Sequence, residues 1–187
     1  MGESRDRTGT AYALTVITAI SPGQVEEVRK VIEGVPRGVS SPLAKLGTVH
    51  TSRLQIFDHL VYQGAPQKRD QLRWDYLVFT AAFDGHDLDP FLDSIVDQIP
   101  DEADSWWRHC LAYPGLKDRT AFKKWIRDNQ VHTSLFAVAS PNRSVPEVLE
   151  SLALRERLVE FAIANQNQQT SAAELRERFR SAFGGEV

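Results

Sequence analysis

Cysteine is nearly absent from this sequence, and its scarcity limits the sites that the chain can build. Cys110 is the single cysteine among 187 residues. A disulfide within the chain and a metal site made of several thiolates are therefore excluded. A lone thiol is typical of a reducing compartment, so we expect a cytoplasmic protein.

Long apolar runs and an excess of positive charge are missing as well. No stretch is long and apolar enough for a membrane span, and residues 1–10 lack the apolar core of a signal peptide. We expect those residues to form a flexible arm. The formal net charge of −3 argues against nucleic acid as a partner. Signature motifs for nucleotide binding, zinc peptidases and serine hydrolases are also absent.

Hydrophobic periodicity is strong in the rest of the chain. Short runs rich in β-branched and aromatic residues predict strands, and apolar residues at helical spacing predict helices. The predicted strands cover residues 11–20, 49–57, 74–83 and 131–139. Capping signals predict helices after the first and third strands, and two further helices at the carboxyl end.

This order of elements is that of a split β-α-β arrangement. It predicts an α+β, ferredoxin-like antiparallel sheet with two extra C-terminal helices. Strands 11–20 and 74–83 are apolar on both faces, so we expect them at the centre of the sheet. The predicted domains are a ferredoxin-like domain at 11–164 and a hinge with a C-terminal helix at 165–187.

The apolar side chains of the helix after residue 144 are expected to point inward. They are Leu149, Leu152, Val159 and Ile163. The sheet face opposite the crossover helices would expose a large apolar patch, which monomers avoid. We therefore expect a homodimer that buries this face, or the helix at 171–183 folded across it.

A four-residue motif, Val-His-Thr-Ser, occurs at residues 49–52 and again at 131–134. Each copy begins a strand that closes one β-α-β half. In the predicted topology these strands begin at opposite ends of the sheet, so His50 and His132 should not share a metal ion. Each is interpreted as a strand-end histidine, with His50 as an iron ligand or proton carrier as the alternative.

Charge is distributed in two blocks. Residues 74–107 hold nine acidic side chains and no Lys or Arg, whereas residues 108–128 hold six basic side chains and two acidic ones. The acidic block is interpreted as a solvated helix face. The basic block is expected to meet an anionic ligand or the acidic face of another subunit.

Residues 106–115 are the densest run of side chains of the types that take part in catalysis and ligand binding. Two indoles, an imidazole, a thiol and a phenol occur within it. Trp106 and His109 are suited to an apolar wall and an iron ligand for a flat cofactor such as haem. The alternative is a structural corner in which the aromatic rings cover a helix end.

Several stretches of the chain resemble a known family. They are LGTVHTSRLQIF at 46–57, FDG at 83–85, HCLAYP at 109–114 and residues 125–155. Together they resemble an uncharacterised bacterial region that accompanies catalase-like and other haem peroxidases. More loosely, they resemble the dimeric α+β barrel superfamily, whose members pair two ferredoxin-like sheets around a pocket. The resemblance assigns no residue a role.

Two functions follow as expectations. The first is a small oxidative enzyme that uses haem or oxygen on an aromatic or lipid-like small molecule. In it His50 or His109 would be the iron ligand or general base, Trp106 would contact the cofactor, and Arg53 would hold a carboxylate or propionate. Tyr113 completes the predicted catalytic set. The second is a non-catalytic ligand-binding or partner module, without a cofactor, that serves a separate haem enzyme.

Overall fold

The computed structural model describes residues 5–66, 72–166 and 170–184. The protein is of the mixed α+β class, as predicted. Its strands are β1 (Arg7–Thr8), β2 (Ala11–Ala19), β3 (Val49–Phe57) and β4 (Tyr76–Asp84). Its α-helices are α1 (Val25–Glu33), α2 (Leu88–Gln98), α3 (Pro100–Trp107), α4 (Arg119–Asp128), α5 (Val145–Asn165) and α6 (Ala172–Phe183). Two short 3-10 helices, Gly38–Ser40 and Pro42–Leu46, connect α1 to β3.

The strands form one antiparallel sheet in the order β1-β2-β4-β3. The two strands that are apolar on both faces, β2 and β4, lie in the centre, which confirms that prediction. Alternate residues such as Val16 and Phe79 point to the core face, where they are fully buried. The residues between them, such as Ile17 and Val78, point to the opposite side, called here the open face.

The core lies between the core face of the sheet and helices α1 to α4. Aromatic rings dominate it, because Phe79 packs against both Trp106 and Trp107. Trp107 in turn contacts Phe122 and Trp125 from α4. The short helices α3 and α4 carry these tryptophans into the core.

The predicted fourth strand is wrong, because residues 131–139 contain no strand. One isolated bridge, Val16 with Gln130, precedes this region at the edge of β2, and the backbone N–H of Val131 donates to Thr15. The backbone N–H of Thr133 donates instead to the Asp6 side chain at 2.6 Å, so it is not available to a strand ladder. Leu135 is 85% exposed, so the apolar alternation of this segment matches no buried face.

Contacts divide the chain into two compact units, Met1–Val145 and Pro146–Val187. The sheet and helices α1 to α4 belong to the first unit. This division differs from the predicted domains, which placed residues 11–164 together. Within the predicted arm, Arg7–Thr8 form β1, and part of the predicted hinge lies outside the described residues.

The second unit pairs helices α5 and α6. Phe161 of α5 contacts Phe179 and Phe183 of α6 with ring centroids 5.7 and 5.6 Å apart. Ser171 caps α6 in a reciprocal capping box with Glu174, as its sequence predicts.

The expectation that the apolar side chains of α5 point inward is wrong. Their exposed fractions are 58% for Leu149, 49% for Leu152, 45% for Val159 and 65% for Ile163. In the described part of the chain, no helix combines the length and the apolar character needed to cross a bilayer.

Candidate functional site

An open groove runs along β3 in the first unit. Its volume is about 520 Å³. The carboxyl end of α1 and the two 3-10 helices form one wall, and the outer edge of β3 forms the other. We call it the β3 groove, and its lining residues are Ile32, Val35–Gly38, Ser41, Leu43, Ala44 and Val49–Leu54.

No described strand lies beside the outer edge of β3. Within the described residues β3 pairs with β4 alone, although it is 9 residues long. Such an edge presents a row of backbone N–H and C=O groups that another extended chain can pair with. The register slips between Val49 and Thr51, so His50 is the extra residue of a bulge at the start of this edge.

His50 is held by a carboxylate at the end of the groove. Its Nε2–H donates to Oδ1 of Asp84 at 2.8 Å, and the two side chains are 20% and 15% exposed. The other carboxylate oxygen of Asp84 accepts the backbone N–H of Val145 at 2.7 Å. Because both oxygens of Asp84 are engaged, the imidazole is fixed in one orientation.

Two arginines carry the positive charge of the groove. Arg53 lies in the middle of β3, opposite Thr80 of β4, and Arg37 lies in the loop after α1. Both are exposed and line the groove. Neither side chain forms an ion pair or a hydrogen bond with any residue that the structure describes, so their guanidinium groups are available to an anionic ligand. Sequence reasoning selected Arg53 but missed Arg37, since a lone cation in a loop carries no spacing signal.

The other predicted site residues lie at the far end of the sheet. His109 follows the end of β2, because its neighbour Cys110 bridges Ile20, whereas His50 lies beside the start of β2, where Asp84 pairs with Ala11. At about 3.3 Å per strand residue, these positions are roughly 30 Å apart. The predicted catalytic set therefore does not converge on one site.

Side chains of the same unit bind one ring nitrogen of His109 and the hydroxyl of Tyr113. His109 Nδ1–H donates to the Gln24 side-chain oxygen at 2.9 Å. The Tyr113 hydroxyl donates to Asp104 at 3.2 Å. Burial, together with the negative charge of Asp104, raises the pKa of Tyr113 far above its usual value. Tyr113 therefore stays protonated at neutral pH.

Trp106 and Cys110 belong to the core rather than to a pocket. Trp106 is 1% exposed and stacks on Phe79. Cys110 is buried, its Sγ accepts a hydrogen bond from the Thr18 hydroxyl at 3.2 Å, and burial raises its pKa to about 11. A thiol in this state is a poor nucleophile.

The second copy of the Val-His-Thr-Ser motif forms a separate pair. His132 Nδ1–H donates to Asp6 at 2.7 Å. The Asp6 carbonyl accepts from Ala13, two residues from the position opposite Asp84, so both motif histidines lie toward the start of β2. The prediction that they lie at opposite ends of the sheet is wrong. No cluster of three or more metal-ligating side chains occurs among the described residues.

The predicted haem-binding residues do not fit one haem together. His50 and His109 are the two candidate iron ligands, and they lie at opposite ends of β2. Trp106, expected to contact the cofactor, has its ring inside the core. No binding geometry for haem follows from this arrangement.

A smaller cavity lies on the open face. Its volume is about 280 Å³, and Gln55 contributes the one polar side chain to a lining that is otherwise hydrophobic or aromatic. The lining residues are Ile17, Gln55, Phe57, Leu60, Leu72, Tyr76 and Val78. It offers apolar contact area but few groups that would orient a ligand.

The two charge blocks of the sequence meet each other in the first unit. Three residues of α2, spaced by four, pair with three residues of α4 that are also spaced by four. The pairs are Asp89 with Arg127, Asp93 with Lys123 and Asp97 with Arg119. The basic block is therefore largely neutralised within the chain.

Comparisons of the chain with protein-family models, with curated proteins and with solved structures find no match.

Proposed function

We propose that this protein is a non-catalytic recognition module that binds an extended, acidic segment of a partner protein along β3. One observation carries the proposal: among the described residues, the outer edge of β3 has no neighbouring strand and borders a groove that holds two arginine side chains without partners. Strand addition to such an edge is a common mode of peptide recognition, in which the backbone supplies affinity and side-chain pockets supply specificity.

The chemistry of the groove supports a peptide with alternating character. Ile32, Val35 and Leu54 give the groove an apolar part, while Arg37 and Arg53 add positive charge. In an added strand, successive side chains point to opposite sides. A segment that alternates β-branched and acidic residues therefore matches both features.

The oxidative enzyme of the sequence expectation has less support. Its proposed residues are divided between two ends of the sheet, and Trp106 lies inside the core. It stays a prediction that haemin titration tests. Under the present proposal, a haemin titration shows no saturable absorption change that depends on either histidine. His50→Ala and His109→Ala should therefore give the same titration as wild type.

We also propose that the first unit is a variant of the ferredoxin-like fold. The central position of β2 and β4 and the helical connections that follow them support this assignment. In this variant, short contacts from β1, Gln130 and Cys110 occupy the edge where the fourth strand would pair. That the partner is a haem enzyme rests on the family resemblance alone.

Fluorescence anisotropy with a labelled peptide tests the recognition proposal. The probe is a peptide of about nine residues, matching the length of β3, in which valine and threonine alternate with glutamate. One control peptide carries methyl groups on alternate backbone nitrogens, which removes the donors needed for strand pairing. A second control replaces glutamate by lysine.

We expect the acidic peptide to bind and both control peptides to fail. Arg53→Glu and Arg37→Glu should each weaken binding several-fold, and added salt should do the same. Lys117→Glu is the matched control, since Lys117 is exposed and lies outside the groove. Equal binding of the methylated peptide, or no saturable binding of the acidic one, would overturn the proposal.

A further inference from the structure

Helix α5 carries an apolar surface that nothing in its own unit covers. Five large apolar side chains lie on one side of the helix, at the three- and four-residue spacing that places them together. We call them the α5 stripe: Val148, Leu149, Leu152, Val159 and Ile163, all 38% or more exposed. Phe161, which packs on α6, lies on the opposite side of the helix.

The α5 stripe is symmetric about the middle of the helix. The midpoint falls between Arg155 and Glu156, and each of the three stripe residues before it has an apolar counterpart equally far after it. The symmetric pairs are Val148 with Ile163, Leu149 with Ala162, and Leu152 with Val159. A helix that packs antiparallel on a copy of itself requires this symmetry, whereas packing on an unrelated partner does not.

The charges at the midpoint are complementary. Arg155 and Glu156 are both exposed, and neither side chain forms an ion pair or a hydrogen bond within the described residues. Antiparallel packing brings the two arginines and two glutamates of a dimer together around the two-fold axis. There the guanidinium of Arg155 comes within reach of the partner's Glu156, and the net charge is zero.

We propose that the chain forms a homodimer through antiparallel packing of the α5 stripe on the same stripe of a second copy. Antiparallel packing also sets the two helix dipoles against each other, which favours it over parallel packing. Because α6 packs on the other side of α5, the dimer would contain four helices with the two α5 helices in the middle.

The area available agrees with a reversible dimer. Burying one such apolar side chain completely removes on the order of 100 Å² from water. Five side chains that are about half exposed thus offer roughly 250 Å² per copy. With the polar rim of a helix about 31 Å long, the total approaches about 1,000 Å², the lower end of specific interfaces. We expect association in the micromolar range.

Sedimentation velocity of the full chain, from low to high micromolar concentration, tests the dimer. Wild type should shift from monomer to dimer across this range. Arg155→Glu gathers four carboxylates at the axis, and Glu156→Arg gathers four guanidinium groups, so each should weaken association about tenfold or more. The double variant R155E/E156R restores neutrality and should return association to within about threefold of wild type.

Glu150→Arg is the matched control for Glu156→Arg. It makes the same change of charge on an exposed residue of α5 that lies off the stripe, so it should leave association nearly unchanged. Circular dichroism confirms that each variant keeps its helices. A monomer at all concentrations, or a double variant no better than the single ones, would overturn the proposal.

Cysteine cross-linking tests the direction of packing. In the antiparallel dimer Leu152 lies opposite the partner's Val159. The variant L152C/V159C should therefore give a covalent dimer on mild oxidation, whereas L152C alone should not, because its two copies lie about 10 Å apart along the helix axis. Rapid cross-linking of L152C alone would indicate parallel packing and would contradict the proposal. Because the native Cys110 is buried, it is retained in these variants.

Discussion

The two units of the molecule use the same helical pattern in opposite ways. In the first unit, apolar stripes such as Phe91 and Ile95 of α2 are buried against the sheet and its neighbouring helices. In the second, α5 is the longest helix of the described chain, yet no residue of it is buried. An amphipathic pattern thus shows that a helix side needs a partner, but it does not say whether that partner is in the same chain.

The charges of the two units extend this comparison. In the first unit, α2 and α4 run antiparallel, and their acidic and basic residues meet at a constant register from Asp89 to Arg127 through Asp97 to Arg119. In α5, Arg155 and Glu156 lie on either side of the middle of the helix. In an antiparallel pair of α5 helices, each would face the oppositely charged residue of the second copy. One pattern is satisfied within the chain, and the other is proposed to be satisfied by a second copy.

The largest expected effect is on the free energy of unfolding of the first unit, and it tests whether the two units unfold independently. Phe79→Ala should lower the free energy of unfolding by about 3–5 kcal/mol, because Phe79 is fully buried among tryptophans. Phe179→Ala should leave the unfolding of the first unit unchanged, since Phe179 belongs to the second unit. Tryptophan fluorescence in urea measures this directly, because every tryptophan lies before residue 146. Equal effects of the two substitutions would mean that the units unfold together.

The next effect concerns a buried charge of the first unit, the carboxylate of Asp6, which is 1% exposed. Burial raises the pKa of Asp6, but hydrogen bonds from His132 and from Thr133 outweigh it and lower the pKa below its usual value. The carboxylate therefore stabilises the folded state above about pH 4, and this contribution is lost as pH falls through the lowered pKa.

Asp6→Asn should consequently lower the free energy of unfolding by about 1–3 kcal/mol at pH 7. Urea titrations at neutral and acidic pH should show the difference from wild type shrinking below about pH 4. Asp101→Asn, at an exposed carboxylate of the same unit, serves as the control and should change little. A difference that persists unchanged in acid would contradict a role for the charge of Asp6.

Helix caps provide a comparison of similar interactions in the two units. Asp118 accepts a backbone N–H at the start of α4, and Ser171 does so at the start of α6. Replacing either by alanine should cost about 1 kcal/mol locally. For Asp118→Ala the loss should appear in tryptophan-monitored unfolding, and for Ser171→Ala only in helix content by circular dichroism. The opposite result for Ser171→Ala would show that α6 stabilises the first unit.

Sequence reasoning recovered the features that depend on local patterns. Two-sided apolar runs placed β2 and β4 in the centre of the sheet, and the Ser171 capping box placed the start of α6. It failed where contacts between residues that are distant in sequence determine the local structure. The side chain of Asp6 takes the backbone N–H that a fourth strand would use at Thr133, and nothing near residues 131–139 shows this.

The residues of the candidate site show the same difference between local patterns and long-range contacts. Arg53 follows from its position on a predicted strand, and the structure places it on the β3 groove. Arg37 reaches that groove only because two 3-10 helices fold the preceding loop beside β3, which no periodicity indicates. The charge blocks at 74–107 and 108–128 are obvious in the sequence, but their pairing depends on how α2 and α4 pack.

The smallest expected effect tests that pairing. Asp93 accepts from Lys123 at 2.7 Å, and the two side chains are 40% and 18% exposed. Because the pair is near the surface, Asp93→Asn should lower the free energy of unfolding by less than about 1 kcal/mol at low salt. The difference should fall toward zero at high salt, since the charges are then screened. Glu33→Gln is the control, because Glu33 is exposed and forms no ion pair within the described residues. A loss that is as large at high salt as at low salt would mean that Asp93 acts through packing or hydrogen bonding, and the register between α2 and α4 would then owe little to charge.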